Sequence, residues 1–321
     1  MSLKIGHAKE IGMEETISFL KEHNKFLLVG HEHPDGDDVG SICALHNVLL
    51  TLGKEADMLL PDPVPSVFSL VKTSEKVMTE IPANKEYDAL IFTDLGNLER
   101  GGNFDFPDVP SLAIDHHRIN ERYTDYLYLK YKYAATAEML TEMFLAMGVE
   151  LDKDTCNALY MAIGTDSGFF KFSCTSENTL LMASRLVAMG ADPSYISNRL
   201  DEKTEDAMKC YKLVADTIHS YHDGKIVVAY MNEEAMKLDG ENSDYYASIP
   251  RSIKGAEIAA LFKYRGKDEY RISLRSLNYA NVSELAGEFG GGGHWRASGC
   301  TIKGPLSECE DKLVAAAVKY L

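Results

Sequence analysis

The sequence lacks most of the features that would mark a membrane, secreted or nucleic-acid-coating protein. No uninterrupted apolar run nears the roughly 20 residues of a membrane helix, and Met1 to Glu10 has no apolar segment of the signal-peptide kind. The six cysteines, Cys43, Cys156, Cys174, Cys210, Cys300 and Cys309, are dispersed and form no CxxC pair. That argues against a disulfide framework or a zinc ribbon and suits reduced thiols, so a cytoplasmic location is expected. Basic residues are scarce: 33 Lys and Arg face 49 Asp and Glu, for a net charge of -16. Long duplex nucleic acid and membrane surfaces are therefore not the expected partners. A small phosphorylated substrate, held by bound cations and a few local arginines, fits the charge. No Ser-His-Asp or Cys-His arrangement supplies a protein nucleophile.

What is present centres on His31-Glu32-His33-Pro34-Asp35-Gly36-Asp37-Asp38. An apolar run, Phe26 to Val29, precedes it, and a helical pattern, Val39, Ile42, Leu45, Val48, Leu49, follows, which reads as strand, polar loop, helix. His31, His33, Asp35 and Asp37 are spaced by two, which in an extended segment would send their side chains to one side. Imidazole nitrogen with carboxylate oxygen suits a divalent metal such as manganese, magnesium or zinc. Gly36 and Gly40 are expected to leave room for backbone near an ion or phosphate. A polar turn with one capping Asp is the plainer alternative, but it would need fewer such residues.

With 321 residues, 45% of them hydrophobic, two domains are expected. In the first, helices are expected over 13–23, 136–147, 154–163, 177–189 and 193–200. Strands are expected at Ala56 to Leu60, Ala89 to Phe92 and Ser111 to Ile114. Continuous apolar strands with helices between them imply an α/β fold: a parallel sheet with helices on both faces, spanning 1–200. Val29, Phe92 and Ile114 are each followed by acid or imidazole: His31, Asp94, and Asp115 with His116 and His117. Ligands bind beyond the carboxyl ends of such strands, so these residues are expected in one crevice. Asp166 closes another apolar element, although a solvated helix-end Asp is its simpler reading alone.

Residues 201–219 read as a connecting helix, and 220–321 as a smaller mixed α/β domain. There Arg271 and Arg275 lie four apart in a strand and so share one face, where guanidinium groups suit phosphate. The run Gly290 to Gly293 offers backbone N–H groups to an anion, and His294 adds a donor. A flexible glycine loop beside a solvated strand is the other reading, and the residues alone leave the two level. Tyr123, Tyr126, Tyr128, Tyr131 and Tyr133 are read as packing, with a homodimer contact as the alternative.

Taken together, His31-x-His33-Pro34-Asp35-Gly36-Asp37, Asp94, Asp115-His116-His117 and Asp166 resemble the DHH phosphoesterase superfamily. The tail Arg271-Ile272-Ser273-Leu274-Arg275-Ser276, with Phe289 to His294, resembles its DHHA1 partner domain. The order and spacing are similar to the oligoribonuclease and phosphoadenosine-phosphate phosphatase group, often called nanoRNase A. The resemblance implies that His31, Asp35 and Asp94 hold one metal. It implies that Asp37, Asp94, His116 and Asp166 hold a second, with Asp94 bridging, and that the ions are most often manganese. Asp115 would orient an imidazole, His117 would face substrate phosphate, and His33 would contact or orient substrate. Arg271, Arg275, Ser276, Gly291, Gly292, Gly293 and His294 would anchor the rest of the substrate, with the cleft between the domains setting its length. Two metals about 3.5–4 Å apart can share a water, lower its pKa and align it on phosphorus.

The expected activity is hydrolysis of short RNA or linear dinucleotides to mononucleotides, or removal of the 3′-phosphate of phosphoadenosine phosphate. Inorganic pyrophosphatase or polyphosphatase activity is a second reading, disfavoured by the glycine-histidine tail. A RecJ-like exonuclease would need a further nucleic-acid-binding domain. A cyclic-dinucleotide phosphodiesterase remains open. A nucleotide-binding sensor with a decayed site would need a missing ligand, and every ligand position is filled. Two positions depart from the usual tail: Asn281 stands where an acid is common, and Trp295-Arg296 follows His294. Trp295 is read as packing or surface aromatic, with base stacking as the alternative.

Overall fold

The computed structural model describes residue 3 and residues 5–321. It divides into two compact units, Met1–Glu202 and Lys203–Leu321. In the first unit the elements run β1 (Lys9–Glu10), α1 (Met13–Glu22), β2 (Lys25–Val29), α2 (Gly36–Thr51), β3 (Glu55–Leu59), β4 (Ala89–Thr93), β5 (Ser111–Asp115), β6 (Tyr126–Leu129), α3 (Thr136–Met147), α4 (Lys153–Asp166), α5 (Glu177–Ala188) and α6 (Pro193–Asp201). The strands form one sheet in the order β1-β6-β5-β4-β2-β3, parallel throughout.

Successive side chains of a strand leave opposite faces, so a sheet covered on both sides needs apolar residues at every position. Phe26, Leu28, Ile91, Leu112 and Ile114 pack with Ile42, Leu45, Met139 and Leu159 of the helices. Leu27, Val29, Leu90, Phe92 and Ala113 turn the other way and lie with Tyr87, Leu95 and Tyr123. The tyrosine-rich stretch, read only as packing or a dimer contact, contains strand β6. Its Tyr-Leu alternation hid a strand that β5 and β1 flank. Tyr128 is buried, and the buried Tyr123 hydroxyl donates to the Leu95 carbonyl at 2.7 Å.

Helix α2 begins where a side chain supplies its missing partner. Asp35 is the N-cap, and its carboxylate accepts from the amides of Asp37 and Asp38. The helix then lies close on α4. A Cβ on Gly40 would fall 2.4 Å from the Ala158 carbonyl oxygen, and one on Gly36 would fall 2.3 Å from Thr165 Oγ1. The room expected at these glycines for an ion or phosphate is thus taken by α4.

The second unit carries α7 (Glu205–Ala215), β7 (His219–Tyr221), β8 (Ile226–Met231), α8 (Glu233–Asp239), α9 (Ser248–Arg251), β9 (Ile258–Gly266), β10 (Glu269–Ser276), α10 (Val282–Gly287), β11 (Gly292–His294), β12 (Ala297–Lys303) and α11 (Leu306–Ala317). Its sheet has the order β11-β12-β10-β9-β8-β7, with only β8 and β9 parallel. One face packs Ile258, Phe262, Ile272 and Leu274 against α10 and α11. The other packs Ala229, Met231 and Leu261 with Cys210 and Val214 of α7 and with Ala235, Tyr246 and Ile249. Helix α7, read as a connector, is therefore part of this unit's core. Among the described residues, no helix is long and apolar enough to cross a membrane.

Candidate metal centre and substrate face

The carboxyl ends of β2, β4 and β5 deliver His31, Asp94, Asp115, His116 and His117. The N-terminus of α2 adds Asp35, Asp37 and Asp38, and the last residue of α4 is Asp166. Asp94 sits in the left-handed region, with φ of 57°, a conformation non-glycine residues avoid unless their surroundings enforce it. In that position its two oxygens face different imidazoles. Oδ2 lies 3.7 Å from His31 Nε2, and Oδ1 lies 3.4 Å from His116 Nε2.

Around Asp94 the donors fall into overlapping groups, each with ligand atoms within 4.8 Å of one another. His31, Asp35 and Asp94 form one; Asp37, His116 and Asp166 form another; Asp94, His116 and His117 form a third. His116 Nε2 is 3.3 Å from Asp166 Oδ2 and 3.8 Å from Asp37 Oδ2. That nitrogen is buried, faces three carboxylates and makes no hydrogen bond. An orphaned imidazole nitrogen among acid oxygens fits a divalent cation, since an unpaired buried polar atom is costly.

The opposite ring nitrogens are held by backbone. His31 Nδ1 lies 2.8 Å from the Glu32 carbonyl, and His116 Nδ1 lies 3.1 Å from the Tyr133 carbonyl. At His116 such a bond fixes the tautomer that leaves Nε2 for a metal. Arg100 Nη2 also approaches His31 Nδ1, at 2.8 Å. Asp115 Oδ1 pairs with His117 Nδ1 at 2.8 Å, while its Oδ2 accepts from Asn120 at 2.7 Å. Asp115 thereby orients His117.

Electrostatics follow from the crowding. Burial alone would lower His31, but Asp38, Asp94 and Asp35 raise it to about 10. His116 is likewise raised well above its ordinary value: burial opposes this, and Asp166, Asp94 and Asp37 outweigh it. Burial and the charges of Asp94 and Asp166 push Asp37 well up. Asp94 is held well below the carboxylate range because the three histidines overcome the cost of its burial.

The spacing-by-two reading of His31, His33, Asp35 and Asp37 does not describe the geometry, because Asp35 caps a helix and Asp37 lies in its first turn. His33, at φ of 53°, points elsewhere. Its side chain is 86% exposed and sits against Asp62, with Nδ1 at 3.2 Å. Sequence reading also missed Asp38, whose buried carboxylate accepts from the His31 amide at 3.1 Å. It missed the N-terminus of α3, where the amides of Thr136 and Ala137 donate to Asp37 at 2.6 and 3.0 Å. The Thr136 hydroxyl donates to Asp94 at 3.1 Å. A second acid beside Asp37 was a readable signal; Thr136 gave none.

In the second unit, directly opposed residues share a face. Register therefore puts Arg271, Ser273 and Arg275 of β10 on the same side as Gly299 and Ala297 of β12, and as Gly292 and His294 of β11. Ser276, Gly291 and Gly293 are not on it. Ser276 is buried, and Cβ atoms on Gly291 and Gly293 would strike β12 at 2.1 and 2.7 Å. Much of the glycine run is thus an edge strand pressed on its neighbour. Trp295 is 58% exposed in the turn that follows, donating to the Tyr279 carbonyl at 3.3 Å.

Residues 25–163 match the N-terminal domain model of the DHH family, and residues 223–321 match the DHHA1 domain model. A bifunctional oligoribonuclease and PAP phosphatase from Thermus thermophilus is 28% identical over 89% of this chain and 87% of that protein. Its namesake from Bacillus subtilis is 26% identical over 90% and 92%. The crystal structure of an exopolyphosphatase-related protein from Bacteroides fragilis superposes with a TM-score of 0.87 at 23% identity, covering 96% of both chains.

Proposed function

This chain belongs to the DHH phosphoesterase family and carries the DHHA1 domain, and from that premise we propose that it cleaves short oligoribonucleotides to mononucleotides and removes the 3′-phosphate of phosphoadenosine phosphate. It is a hydrolase of phosphoester bonds. The observation that carries the reading is the Asp94 carboxylate, shared between His31 and His116 within a ring of Asp35, Asp37 and Asp166.

His31, Asp35 and Asp94 are assigned to one divalent ion, and Asp37, Asp94, His116 and Asp166 to the other, with manganese the expected metal. Two such ions, when bound, lower the pKa of a water and offset charge on phosphate and leaving oxygen. The chain's own residues do the rest. The α3 amides and the Ser41 hydroxyl fix Asp37. Asp115 holds His117 through Nδ1, which leaves Nε2 as the ring atom assigned to a phosphate oxygen. Arg271, Arg275 and His294 share the face assigned to the rest of the nucleotide.

The test is hydrolysis of a 5′-labelled RNA dinucleotide, phosphoadenosine phosphate and pyrophosphate, each with manganese, with chelator and with Asp94→Ala. Mononucleotide and phosphate release from the first two should need manganese and fall by at least about 10³-fold in the variant, as expected when a ligand shared by both ions is removed. Cleavage of pyrophosphate alone would overturn the substrate assignment.

A further inference from the structure

The second unit contains a buried cation that this reading leaves unused. Lys263 of β9 lies directly across from Arg271 of β10, on the face that carries Ser273 and Arg275. Like charges opposed across strands repel. Lys263 is also only 1% exposed, so its ammonium has lost nearly all its hydration. Burial, with the charges of Arg271 and Arg265, lowers its pKa. A buried charge of this kind persists through a partner.

The partner comes from outside the sheet. Asp244 Oδ1 lies 2.7 Å from Lys263 Nζ and accepts from the Ser273 hydroxyl at 2.8 Å. Asp244 immediately precedes the short turn Tyr245–Ala247, and its side chain is 70% exposed. One carboxylate oxygen of a largely exposed side chain therefore rests on an ammonium and a hydroxyl. Arg265 and Arg271 act on Lys263, Arg275 acts on Asp244, and Arg251 acts in turn on Arg275, so the Asp244 carboxylate is set among several cations. Partial burial opposes ionisation of Asp244, but Lys263, Ser273 and Arg275 bring its pKa down to about 2.

We propose that Asp244 is a built-in competitor for phosphate: its carboxylate fills an oxyanion position made by Lys263 Nζ and Ser273 Oγ, which the terminal phosphate of a nucleotide takes when Asp244 moves aside. The inference rests on reading this face as nucleotide-binding. A phosphate monoester suits the position better than another carboxylate does. It brings about two negative charges and three acceptor oxygens to ground where Asp244 brings one charge. A singly charged ligand would gain little by the exchange. Lysine binds phosphate as a compact point charge, so the neighbouring arginines remain available for the other oxygens. Gly299, opposite Ser273 on β12, adds no side chain to that face.

Titration calorimetry on the full chain in chelator tests this, with AMP, inorganic phosphate and adenosine as separate titrants. Asp244→Asn keeps the size and an acceptor oxygen but removes the charge. It should bind AMP at least about fivefold more tightly, since one unit charge removed at hydrogen-bond range is worth that much even under strong screening. Inorganic phosphate should shift the same way and adenosine should not. Lys263→Met should abolish the gain when combined with Asp244→Asn, and Lys263→Arg should keep it. Asp244→Ser serves if the first variant melts early. Unchanged or weaker AMP binding in both Asp244 variants overturns the proposal, because a merely structural ion pair would give that result. Equal tightening of adenosine also overturns it. Dinucleotide hydrolysis, measured in parallel with manganese, separates the two ideas. A chain that gains AMP affinity without cleaving dinucleotide refutes the functional reading alone; a cleaving chain indifferent to Asp244 refutes the competitor alone.

Discussion

Asp94 shows how one residue's conformation serves a site. A left-handed backbone at the end of β4 aims its two oxygens at two imidazoles that arrive from different strands. The surrounding charges set a pH dependence. Without metal, His31 and His116 are raised, so both imidazoles tend to carry a proton at neutral pH, and Asp37 is raised, so it holds its proton to higher pH than an ordinary carboxyl. Ligation requires those protons to leave. Manganese binding should therefore release protons and tighten as pH rises through the neutral range. Calorimetry in two buffers of different ionisation enthalpy reads this, and a heat independent of buffer would sink it. In chelator the linkage runs oppositely. His31 is raised from 6.5 to about 10, so its stabilisation is complete below pH 6.5 and is lost as pH climbs towards 10. Most of these residues were legible as ligand types. Thr136 was not, because its contact with Asp94 spans 42 positions and its residue type carries no ligand signature.

Among the elements, the contact between α2 and α4 decides where Asp35, Asp37 and Asp166 stand. Gly40 meets the backbone of α4, and Gly40→Ala would press a methyl against the Ala158 carbonyl and the Ala162 side chain. Overpacking of this kind costs about 1–3 kcal/mol, and the loss should appear as a lower urea midpoint with manganese affinity weakened in parallel. An unchanged midpoint would mean that the helices separate freely. Strands β2, β4 and β5 were readable because each is a continuous apolar run ending in acid or imidazole. Strand β6 was not, since its tyrosines resemble a surface stretch until β5 and β1 flank it. Strand β11 was masked by glycine, which signals loops, although Gly293 within it and Gly291 just before it let β12 approach.

At the scale of the molecule, the residues proposed for chemistry and those proposed for anchoring lie in separate compact units, the acids and imidazoles in Met1–Glu202 and the arginine face in Lys203–Leu321. The second unit has apolar clusters on both faces of its own sheet. A fragment spanning Lys203–Leu321 should therefore fold alone, with cooperative thermal unfolding and a dispersed amide spectrum. A collapsed, non-cooperative fragment would show that its core depends on the rest of the chain.

The sequence by itself determined the fold class, the family pattern and the residue types that could hold a metal, because parallel strands, helix caps and donor chemistry depend on local residue type and order. It did not determine which of those residues meet. His33 shares the spacing of His31 yet turns out to Asp62, and Ser276 follows Arg275 yet faces the core. A backbone twist or a strand's alternation decides such facing, and both are fixed only when distant elements pack. Lys263 and Asp244 illustrate the limit: neither is conspicuous in the sequence, and only the β9–β10 register, with a turn folded over it, brings them together.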